Sequence, residues 1–478
     1  ELPEVEVVKR SLTKKVQNSI LILLGSFVAF PLFFIVGLYF NWFGLPLNSG
    51  EILNLKDDRV LPIEESYNDA KQILFGDLHV HSSFSLDAYL LNLPLLQGEG
   101  VHPISDACDY ARFCSNIDFW SINDHAAWLT PREWKQTIKG IDNCNQISSK
   151  TDESEVIAFL GWEWTQRSVD PNDHYGHKNI IIKSIDPQEI PKAPIAADRL
   201  DDFNSSLSSF ILQSTALVKD FKNRDLIFDL RYKQLELSSR IKCSVTNIQR
   251  GCSEVASTPE DLFKKLDKIS SDILVIPHGT SWGNSAPPLA SWTNQISPSQ
   301  NDNNVQRLIE VYSGHGNSEE YRSWRSLYKN LDSTLECPSP ASNFLPSCFR
   351  AGEIIRERCL FSAGSEEECN SRALEARRNY LLSNPLGHLS VPGQEPEEWL
   401  DAGQCKDCFL PAFNYRPGMS VQHALALSDF SQEEPFRLRF GFIGSSDNHQ
   451  AKPGNGYKEV FRLGITNAKG PLNEDLRL

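Results

Sequence analysis

The sequence predicts an α/β protein built on a parallel β-sheet, and three observations support this fold class. Short apolar runs recur along the chain and end in polar, chemically capable residues. Helix-like segments lie between several of these runs, which is the pattern of a parallel sheet with crossover helices. The chain has 478 residues, more than one small core requires, so we expect one large domain with insertions or two domains.

The predicted elements follow one another from residue 71, where we expect the ordered domain of residues 71–478 to begin. The predicted strands cover 73–81, 119–125, 156–164, 178–183, 273–278, 308–315 and 440–449. The predicted helices cover 103–114, 130–147 and 258–269, and the first two open with a proline near the first turn, where its fixed φ is favourable. Two stretches interrupt the pattern and are expected to be insertions: 186–259, with a helix-like part at 205–240, and the Cys-, Pro- and Ser-rich 330–434.

An uncharged apolar run precedes this domain. Residues 20–40 read ILILLGSFVAFPLFFIVGLYF, and a helix of this length would span about 30 Å, the thickness of a hydrocarbon core. We therefore predict a transmembrane helix over residues 19–41. A polar linker over residues 42–70 would join it to the ordered domain.

The charges on either side of the apolar run predict its orientation. Basic residues precede the run and acidic residues follow it, so the positive-inside rule places residues 1–18 in the cytoplasm. The catalytic domain would then be exported to the periplasm or the cell exterior on a single-pass membrane anchor. A cleaved signal peptide is the alternative, but the run is long for one and no Ala-x-Ala site follows it. Because the chain begins with Glu1 rather than Met, we also expect the sequence to be a fragment of a longer chain, cut at one or both ends.

Composition excludes one class of partner and assigns a role to the cysteines. Acidic residues outnumber basic ones 62 to 47, so an extended nucleic-acid-binding surface is not expected.

In an exported chain the 11 cysteines are disulfide candidates before they are metal ligands. We interpret six of them as staples of the second insertion, with their pairing left open: Cys337, Cys348, Cys359, Cys369, Cys405 and Cys408.

Two histidines in the first predicted strand indicate metal chemistry. His79 and His81 leave the same face of the strand, because side chains alternate across it. Asp77 lies two positions earlier, and Asp87 follows after a short polar loop. Two surface histidines on a half-exposed strand would explain this segment alone equally well. The later motifs decide between these interpretations.

Polar residues at the ends of the later strands extend the pattern. Eight of the 11 histidines lie at or just beyond predicted strand ends. In parallel α/β folds the functional groups collect at the carboxyl ends of the strands, so these imidazoles and their neighbouring carboxylates should meet. Imidazole and carboxylate without cysteine are ligands that suit zinc, manganese or iron, and bridging carboxylates hold two ions close together.

The order of these motifs resembles that of the PHP superfamily, the polymerase and histidinol phosphatase metalloenzymes. The motifs are His79-x-His81, Asp124-His125, Glu163, His177, His278 and Asp447-x-His449. The chain is most similar to a branch often catalogued only as a domain of unknown function, which shares the Gly-Asp-Leu-His-x-His opening and the Gly-x-Ser-Asp-x-His close. The resemblance covers about residues 75–450 and implies a distorted (β/α)7 TIM-like barrel with loop insertions, here preceded by the transmembrane helix.

The resemblance also implies two or three divalent ions, of zinc, manganese or iron, with ligands from all of these motifs. We expect the first ion at His79, His81, Glu163 and Asp447, the second at Glu163, His177 and His278, and the third at His125, His449 and Asp87. Asp87 occupies a place where the superfamily often has a histidine, so the third ion depends on it. Asp77 and Asp124 are interpreted as groups that fix the tautomer of a ligating imidazole.

Several nearby polar residues have two interpretations. His174 is an alternative to His177 as a ligand, but the Gly-His-Lys-Asn context favours His177. Glu310 and His315 either line the pocket or form a supporting pair. Arg416 either binds an anionic group through its fork of donors or forms a structural salt bridge.

These features predict a metal-dependent hydrolase, first of all a phosphoesterase acting on a small phosphorylated or other anionic substrate. Clustered ions would lower the pKa of a bridging water, and the resulting hydroxide would attack phosphorus in line. Glu163, Asp447 and Arg416 are the candidate catalytic residues, and Lys178 is a second candidate to bind a non-reacting oxygen. Two alternatives stand beside this prediction: an amidohydrolase-like enzyme that cleaves a C–N or C–O bond, and a non-enzymatic, membrane-tethered metal-binding module.

Overall fold

Two curled β-sheets form the centre of the molecule in the computed structural model. The structure describes residues 29–54, 73–96, 98–148, 156–198, 207–239, 241–242, 252–269, 272–283, 285–313, 316–317, 325–399, 402–403, 415–431 and 433–455. Its strands are β1 (Gly76–Val80), β2 (Phe119–Ile122), β3 (Ile157–Thr165), β4 (His177–Ile182), β5 (Ile195–Ala196), β6 (Ile241–Lys242), β7 (Cys252–Val255), β8 (Ile273–His278), β9 (Leu308–Ser313), β10 (Gly316–Asn317), β11 (Tyr328–Lys329), β12 (Leu335–Glu336) and β13 (Gly441–Gly444). Its α-helices are α1 (29–39), α2 (Leu86–Leu91), α3 (Ile104–Tyr110), α4 (Pro131–Ser148), α5 (Leu207–Lys219), α6 (Arg224–Ser238), α7 (Pro259–Leu266), α8 (Ser347–Phe361), α9 (Glu366–Leu382) and α10 (Val421–Ala426).

The larger sheet has the strand order β1-β2-β3-β4-β8. Strands β1, β2 and β3 are parallel, and helices α3 and α4 lie in the connections between them. Strand β4 runs antiparallel to both of its neighbours, with His177 opposite Thr165 of β3 and opposite His278 of β8. The first residue of β4 therefore lies level with the carboxyl ends of β3 and β8.

The smaller sheet has the order β10-β9-β13, and hydrogen bonds connect it to the larger one at two places. The backbone N–H of Val275 in β8 donates to the carbonyl of Val305, just before β9, at 2.9 Å. On the other side the N–H of His81 donates to the carbonyl of Asn448, after β13, at 2.8 Å. These bonds bring the segment after β13 against the end of β1, where the first two predicted ligands lie.

The predicted (β/α)7 barrel is wrong for this chain. The described residues form a mixed α/β structure with a curled half-barrel sheet, not a ring of parallel strands separated by helices. Residues 166–176 join β3 to β4 without a helix, whereas a parallel connection needs a crossover of about a dozen residues or more. The short connection forces β4 to return antiparallel to β3.

Local sequence explains how the first insertion packs against the sheet layer. Helix α4 begins with a capping box: the N–H of Glu133 donates to Thr130 Oγ1 at 3.1 Å, and the N–H of Thr130 donates to Glu133 Oε2 at 3.0 Å. The same Glu133 carboxylate accepts a hydrogen bond from Lys233 Nζ of α6 at 2.8 Å, and both side chains are buried. One acidic residue therefore caps α4 and joins it to the insertion.

The predicted transmembrane helix is wrong: among the residues that the structure describes, no helix is long and apolar enough to cross a membrane. Part of the predicted span, 19–28, and the predicted cytoplasmic segment 1–18 lie outside the described residues. The described part of helix α1 covers 29–39, whereas a bilayer core needs about 20 apolar residues. The prediction of a single-pass membrane anchor carrying an exported domain is wrong on the same finding.

Several apolar residues of α1 and of the turn that follows it pack against protein, which accounts for part of the apolar run, whereas Phe30, Leu32, Phe33 and Tyr39 are exposed. Leu38 is fully buried in the main hydrophobic core. The ring of Phe34 lies 4.8 Å from that of Phe221, between α5 and α6, and the ring of Phe43 lies 4.9 Å from that of Phe228 in α6. Burial against another helix removes apolar surface from water as effectively as lipid does.

Disulfides cross-link the second insertion, as the cysteine cluster predicted. Cys337 is bonded to Cys348, and Cys359 is bonded to Cys369, which lies in α9. Cys405 and Cys408 lie outside the described residues. A further disulfide, Cys108–Cys144, joins α3 to α4 beside the larger sheet.

Candidate metal centre

Buried imidazoles and carboxylates converge where strands β1, β3 and β8 end. All of the predicted ligands lie in this cluster: His79, His81, Asp87, His125, Glu163, His177, His278, Asp447 and His449. The side chain of Glu163 is only 2% exposed, whereas those of His449 and Asp87 are 22% and 31% exposed. The cluster is therefore closed at its centre and reaches solvent on the Asp87 side.

The two histidines of the first motif face the aspartate of the last. His79 Nε2 lies 3.0 Å from Asp447 Oδ1 and 3.1 Å from His81 Nε2. His81 Nε2 lies 3.3 Å from the same Asp447 oxygen. Residues far apart in the chain thus present three donor atoms to one point.

The Glu163 carboxylate lies between the two halves of the cluster. Its Oε2 atom is 3.4 Å from His81 Nε2 and 3.2 Å from His125 Nδ1. Its Oε1 atom is 3.0 Å from His177 Nδ1 and 3.5 Å from His278 Nε2. One oxygen faces each half, which is the arrangement a bridging carboxylate requires.

Asp87 lies between two imidazoles at the exposed edge of the cluster. Its Oδ2 atom is 3.0 Å from His125 Nε2 and 3.4 Å from His449 Nε2. The ring of His449 also stacks against that of His81, with centroids 4.2 Å apart. Asp87 therefore belongs to the cluster.

Within the described residues, three groups of side chains can each hold a metal ion, because their ligand atoms all lie within 4.8 Å of one another. The groups are His79, His81 and Asp447; His79, Glu163 and His278; and His81, His125 and His449. His79 and His81 each belong to two groups, and since one imidazole nitrogen binds one ion, neighbouring groups would compete for these two rings.

Hydrogen bonds behind the cluster fix the tautomer of His81. Ser85 Oγ donates its only proton to Asp124 Oδ1 at 2.8 Å, so it accepts from His81 Nδ1 at 2.9 Å. The hydrogen of neutral His81 is then on Nδ1, and its Nε2 lone pair points into the cluster. Asp124 reaches His81 through Ser85, which the sequence analysis missed. The sequence signal for Ser85 was a hydroxyl four residues after His81, at the N-cap of α2.

Two further carboxylates position the first and last motifs. His79 Nδ1 lies 2.9 Å from Glu310 Oε2 of β9, which is 2% exposed. Glu310 is therefore a supporting group for His79, whereas His315 lies outside the described residues. Asp77 accepts hydrogen bonds from the N–H groups of Ser446 at 3.0 Å and Gly454 at 2.7 Å. It holds the loop on which Asp447 adopts a left-handed conformation with φ +50°.

Burial and neighbouring charges shift the pKa values of the imidazoles in opposite directions. Burial and the neighbouring His449 together lower the pKa of His81 to about 3. Burial likewise lowers the pKa of His177 to about 3. Burial also disfavours the charged form of His125, but the Glu163 and Asp87 carboxylates outweigh it and raise the pKa of His125 to about 10.

The remaining predicted residues lie beside the cluster. His174 is buried, belongs to none of the three groups, and has no hydrogen-bond partner for Nδ1 in the described part of the chain. Lys178 points to the opposite face of β4 from His177, where Nζ donates to Gln295 Oε1 at 2.7 Å. Arg416 donates to the carbonyls of residues 286 and 283 at 2.9 and 3.2 Å and to the hydroxyl of residue 326 at 2.9 Å. Its described hydrogen bonds are thus with protein oxygens outside the cluster.

Arg167 is a candidate functional residue that sequence analysis missed. It is exposed just beyond the end of β3, and its Nε donates to His177 Nε2 at 3.4 Å. The available signal was its position four residues after Glu163 on a strand end.

No protein-family model, curated protein or solved structure gives a significant match to this chain, so the resemblance to the PHP superfamily stays a prediction.

Proposed function

We propose that this chain is a metal-dependent hydrolase, with phosphoric esters as its first class of substrate and two or three divalent ions in the cluster. The observation that carries the proposal is the direction of the His81 lone pair. Nε2 of this neutral imidazole faces Asp447 Oδ1 at 3.3 Å and Glu163 Oε2 at 3.4 Å. His81 Nε2 and the two carboxylates are all acceptors, so a cation bound between them would turn their mutual repulsion into ligation.

The residues present fit a divalent ion. Neutral imidazole and carboxylate are the ligands that zinc, manganese and iron share. Metal-binding histidines usually donate their second ring N–H to a carboxylate or another fixed acceptor, and Ser85 and Glu310 lie in those positions behind His81 and His79. These contacts hold both rings in one orientation before any ion binds.

The chain's own residues would then have separate roles in hydrolysis. When bound, divalent ions supply Lewis acidity and lower the pKa of water toward neutrality. Glu163 would keep the two halves of the cluster at a fixed spacing, and its burial excludes bulk water from the centre. Substrate would enter from the side of Asp87 and His449, where the cluster is exposed.

Two considerations favour phosphoric esters over amides. Phosphoryl transfer needs positive charge around several oxygens and no protein nucleophile, which a cluster of ions satisfies. The motif order also resembles that of a superfamily that contains phosphoesterases. Both considerations support phosphoric esters as the first class of substrate.

Metal analysis followed by a substrate panel tests the proposal. The full chain, loaded separately with zinc, manganese or iron, should bind at least two ions and hydrolyse phosphomonoesters or phosphodiesters in preference to amides. Replacing His79 with alanine should abolish turnover, whereas alanine at the exposed His388 should not. Turnover by metal-loaded His79→Ala protein would contradict the assignment. Fewer than two ions per chain would favour a binding module, and hydrolysis of amides alone would favour the amidohydrolase-like alternative.

A further inference from the structure

Positive charge collects on one side of the cluster, around the connection between β3 and β4. Lys178, Arg416 and Arg167 all act on His174: burial and the charges of these three residues together lower the pKa of His174 to about 4. Across the cluster, the exposed edge instead carries the Asp87 carboxylate. An anionic substrate that enters beside Asp87 is therefore oriented with its negative charge toward the His177 side and away from the Asp87 carboxylate.

Only one of these three cations is presented to solvent. Lys178 is fully buried, with Nζ on Gln295 Oε1 at 2.7 Å and 5.6 Å from the centre of the Trp292 ring. Arg416 is also buried and donates to backbone carbonyls. Arg167 is exposed, so it is the cation that a substrate can reach.

The hydrogen bond of Arg167 to His177 places its guanidinium beside the cluster. Its Nε lies 3.4 Å from His177 Nε2, and the other nitrogen of that ring lies 3.0 Å from Glu163 Oε1. Among the described residues Arg167 forms no salt bridge, and its one hydrogen bond is that from Nε to His177. Both terminal amino groups remain as a planar fork of the kind that binds phosphate or carboxylate with two parallel hydrogen bonds.

The loop that carries Arg167 is fastened at its base. The neighbouring Gln166 accepts a hydrogen bond from the N–H of Tyr175 at 2.7 Å and donates to the carbonyl of Asp173 at 2.8 Å. These bonds close the loop directly beside Arg167. The guanidinium therefore extends from a defined backbone position, which lowers the entropy lost when it binds an anion.

We propose that Arg167 is the anion-binding residue of this site, and that it holds two non-reacting oxygens of a phosphate group while the ester lies over the cluster. The assignment rests on the proposed function and narrows it. Substrates with a dianionic phosphate are preferred over monoanionic diesters, and both are preferred over neutral esters. No bond to Arg167 forms or breaks during the reaction.

Two variants and a matched control test the assignment on the metal-loaded full chain. Arg167→Ala removes the fork, and Arg167→Lys keeps one charge without the paired donors. Lys183→Ala is the control, because it removes an exposed cation just beyond the far end of β4 from His177, where Lys183 Nζ pairs with Asp272 at 3.1 Å. Inorganic phosphate binding is measured by titration calorimetry. Kinetic constants are measured for p-nitrophenyl phosphate, bis-p-nitrophenyl phosphate and p-nitrophenyl acetate.

Arg167→Ala should weaken phosphate binding and raise KM for p-nitrophenyl phosphate by about 10- to 100-fold, the effect of losing hydrogen bonds to a charged group. The effect of Arg167→Ala on the diester should be smaller, and turnover of the neutral acetate should stay within about twofold of wild type. With Lys183→Ala, turnover of all three substrates should stay within about twofold of wild type. Arg167→Lys should fall between the wild type and Arg167→Ala.

Equal losses for all three substrates, or an unchanged Kd for phosphate, would overturn the assignment. The two proposals fail separately in this design. If the wild-type chain turns over none of the esters, the hydrolase proposal fails, and the calorimetric comparison still decides whether Arg167 binds phosphate.

Discussion

Replacing Ser85 with alanine tests whether the tautomer of His81 controls metal binding. The variant removes the acceptor for His81 Nδ1, 2.9 Å away, and the donor to Asp124 Oδ1, 2.8 Å away. The imidazole is fully buried, so its N–H has no water to replace the lost partner. The ring is then free to place its hydrogen on Nε2, the atom that faces Asp447 and Glu163.

The expected magnitude follows from comparable supporting contacts in metal sites. Loss of such a contact weakens metal binding by about 10- to 100-fold, which corresponds to about 1.4 to 2.8 kcal/mol. The free energy of unfolding of the metal-free chain should also fall, by about 1 to 3 kcal/mol, because a buried donor is left unsatisfied.

Competition with a chromophoric chelator measures the affinity, and elemental analysis measures the number of ions. Ser83→Ala is the matched control: Ser83 is 1% exposed in the same loop, and its hydroxyl accepts from the N–H of His102 at 2.7 Å without contacting a ligand imidazole. Both variants lose a buried hydrogen bond, but only Ser85→Ala should lose metal affinity. Equal metal affinities for the two variants would refute the tautomer argument.

Three further predictions concern the third ion, a buried lysine and a disulfide. Asp87→Ala should lower the ion count by one, because Oδ2 joins His125 and His449, whereas Asp87→His should restore it; elemental analysis of the loaded proteins decides this. Burial lowers the pKa of Lys178 from 10.5 to about 7, so between these values the unfolded state binds more protons and stability rises with pH. Denaturant unfolding at pH 7 and pH 9 should therefore show a smaller rise for Lys178→Met than for the wild type, and equal rises would contradict the burial argument. Replacing Cys108 and Cys144 together by alanine should lower the free energy of unfolding by about 3 to 4 kcal/mol in the same assay, given their separation of 36 residues. A loss below about 1 kcal/mol would contradict a stabilising role for this disulfide.

Much of the candidate site could be predicted because its signals are local. Alternation along a strand puts His79 and His81 on one face, and neighbouring strand ends bring Glu163 and His278 to the same edge. Ser85 and Arg167 were missed because neither residue type is diagnostic by itself. Their roles depend on which partners the fold places at 2.9 and 3.4 Å.

The fold was predicted less well, for two physical reasons. Strand direction depends on the length of the connection, and the run 178–183 looks alike in either direction, so the antiparallel β4 was not anticipated. An apolar run has the same composition whether lipid or protein covers it. Only packing showed that Phe34 and Leu38 of α1 lie against the helical insertion and the main core.

The sequence by itself predicted which imidazoles and carboxylates lie together and which strand ends carry them, since these follow from residue type and from alternation along a strand. Tertiary structure alone decided the half-barrel topology, the bridging position of Glu163, the place of Asp87 between two imidazoles and the tautomer of His81. Each of these depends on distances between residues far apart in the chain. Such distances are set by the packing of the whole domain, and no local pattern encodes them.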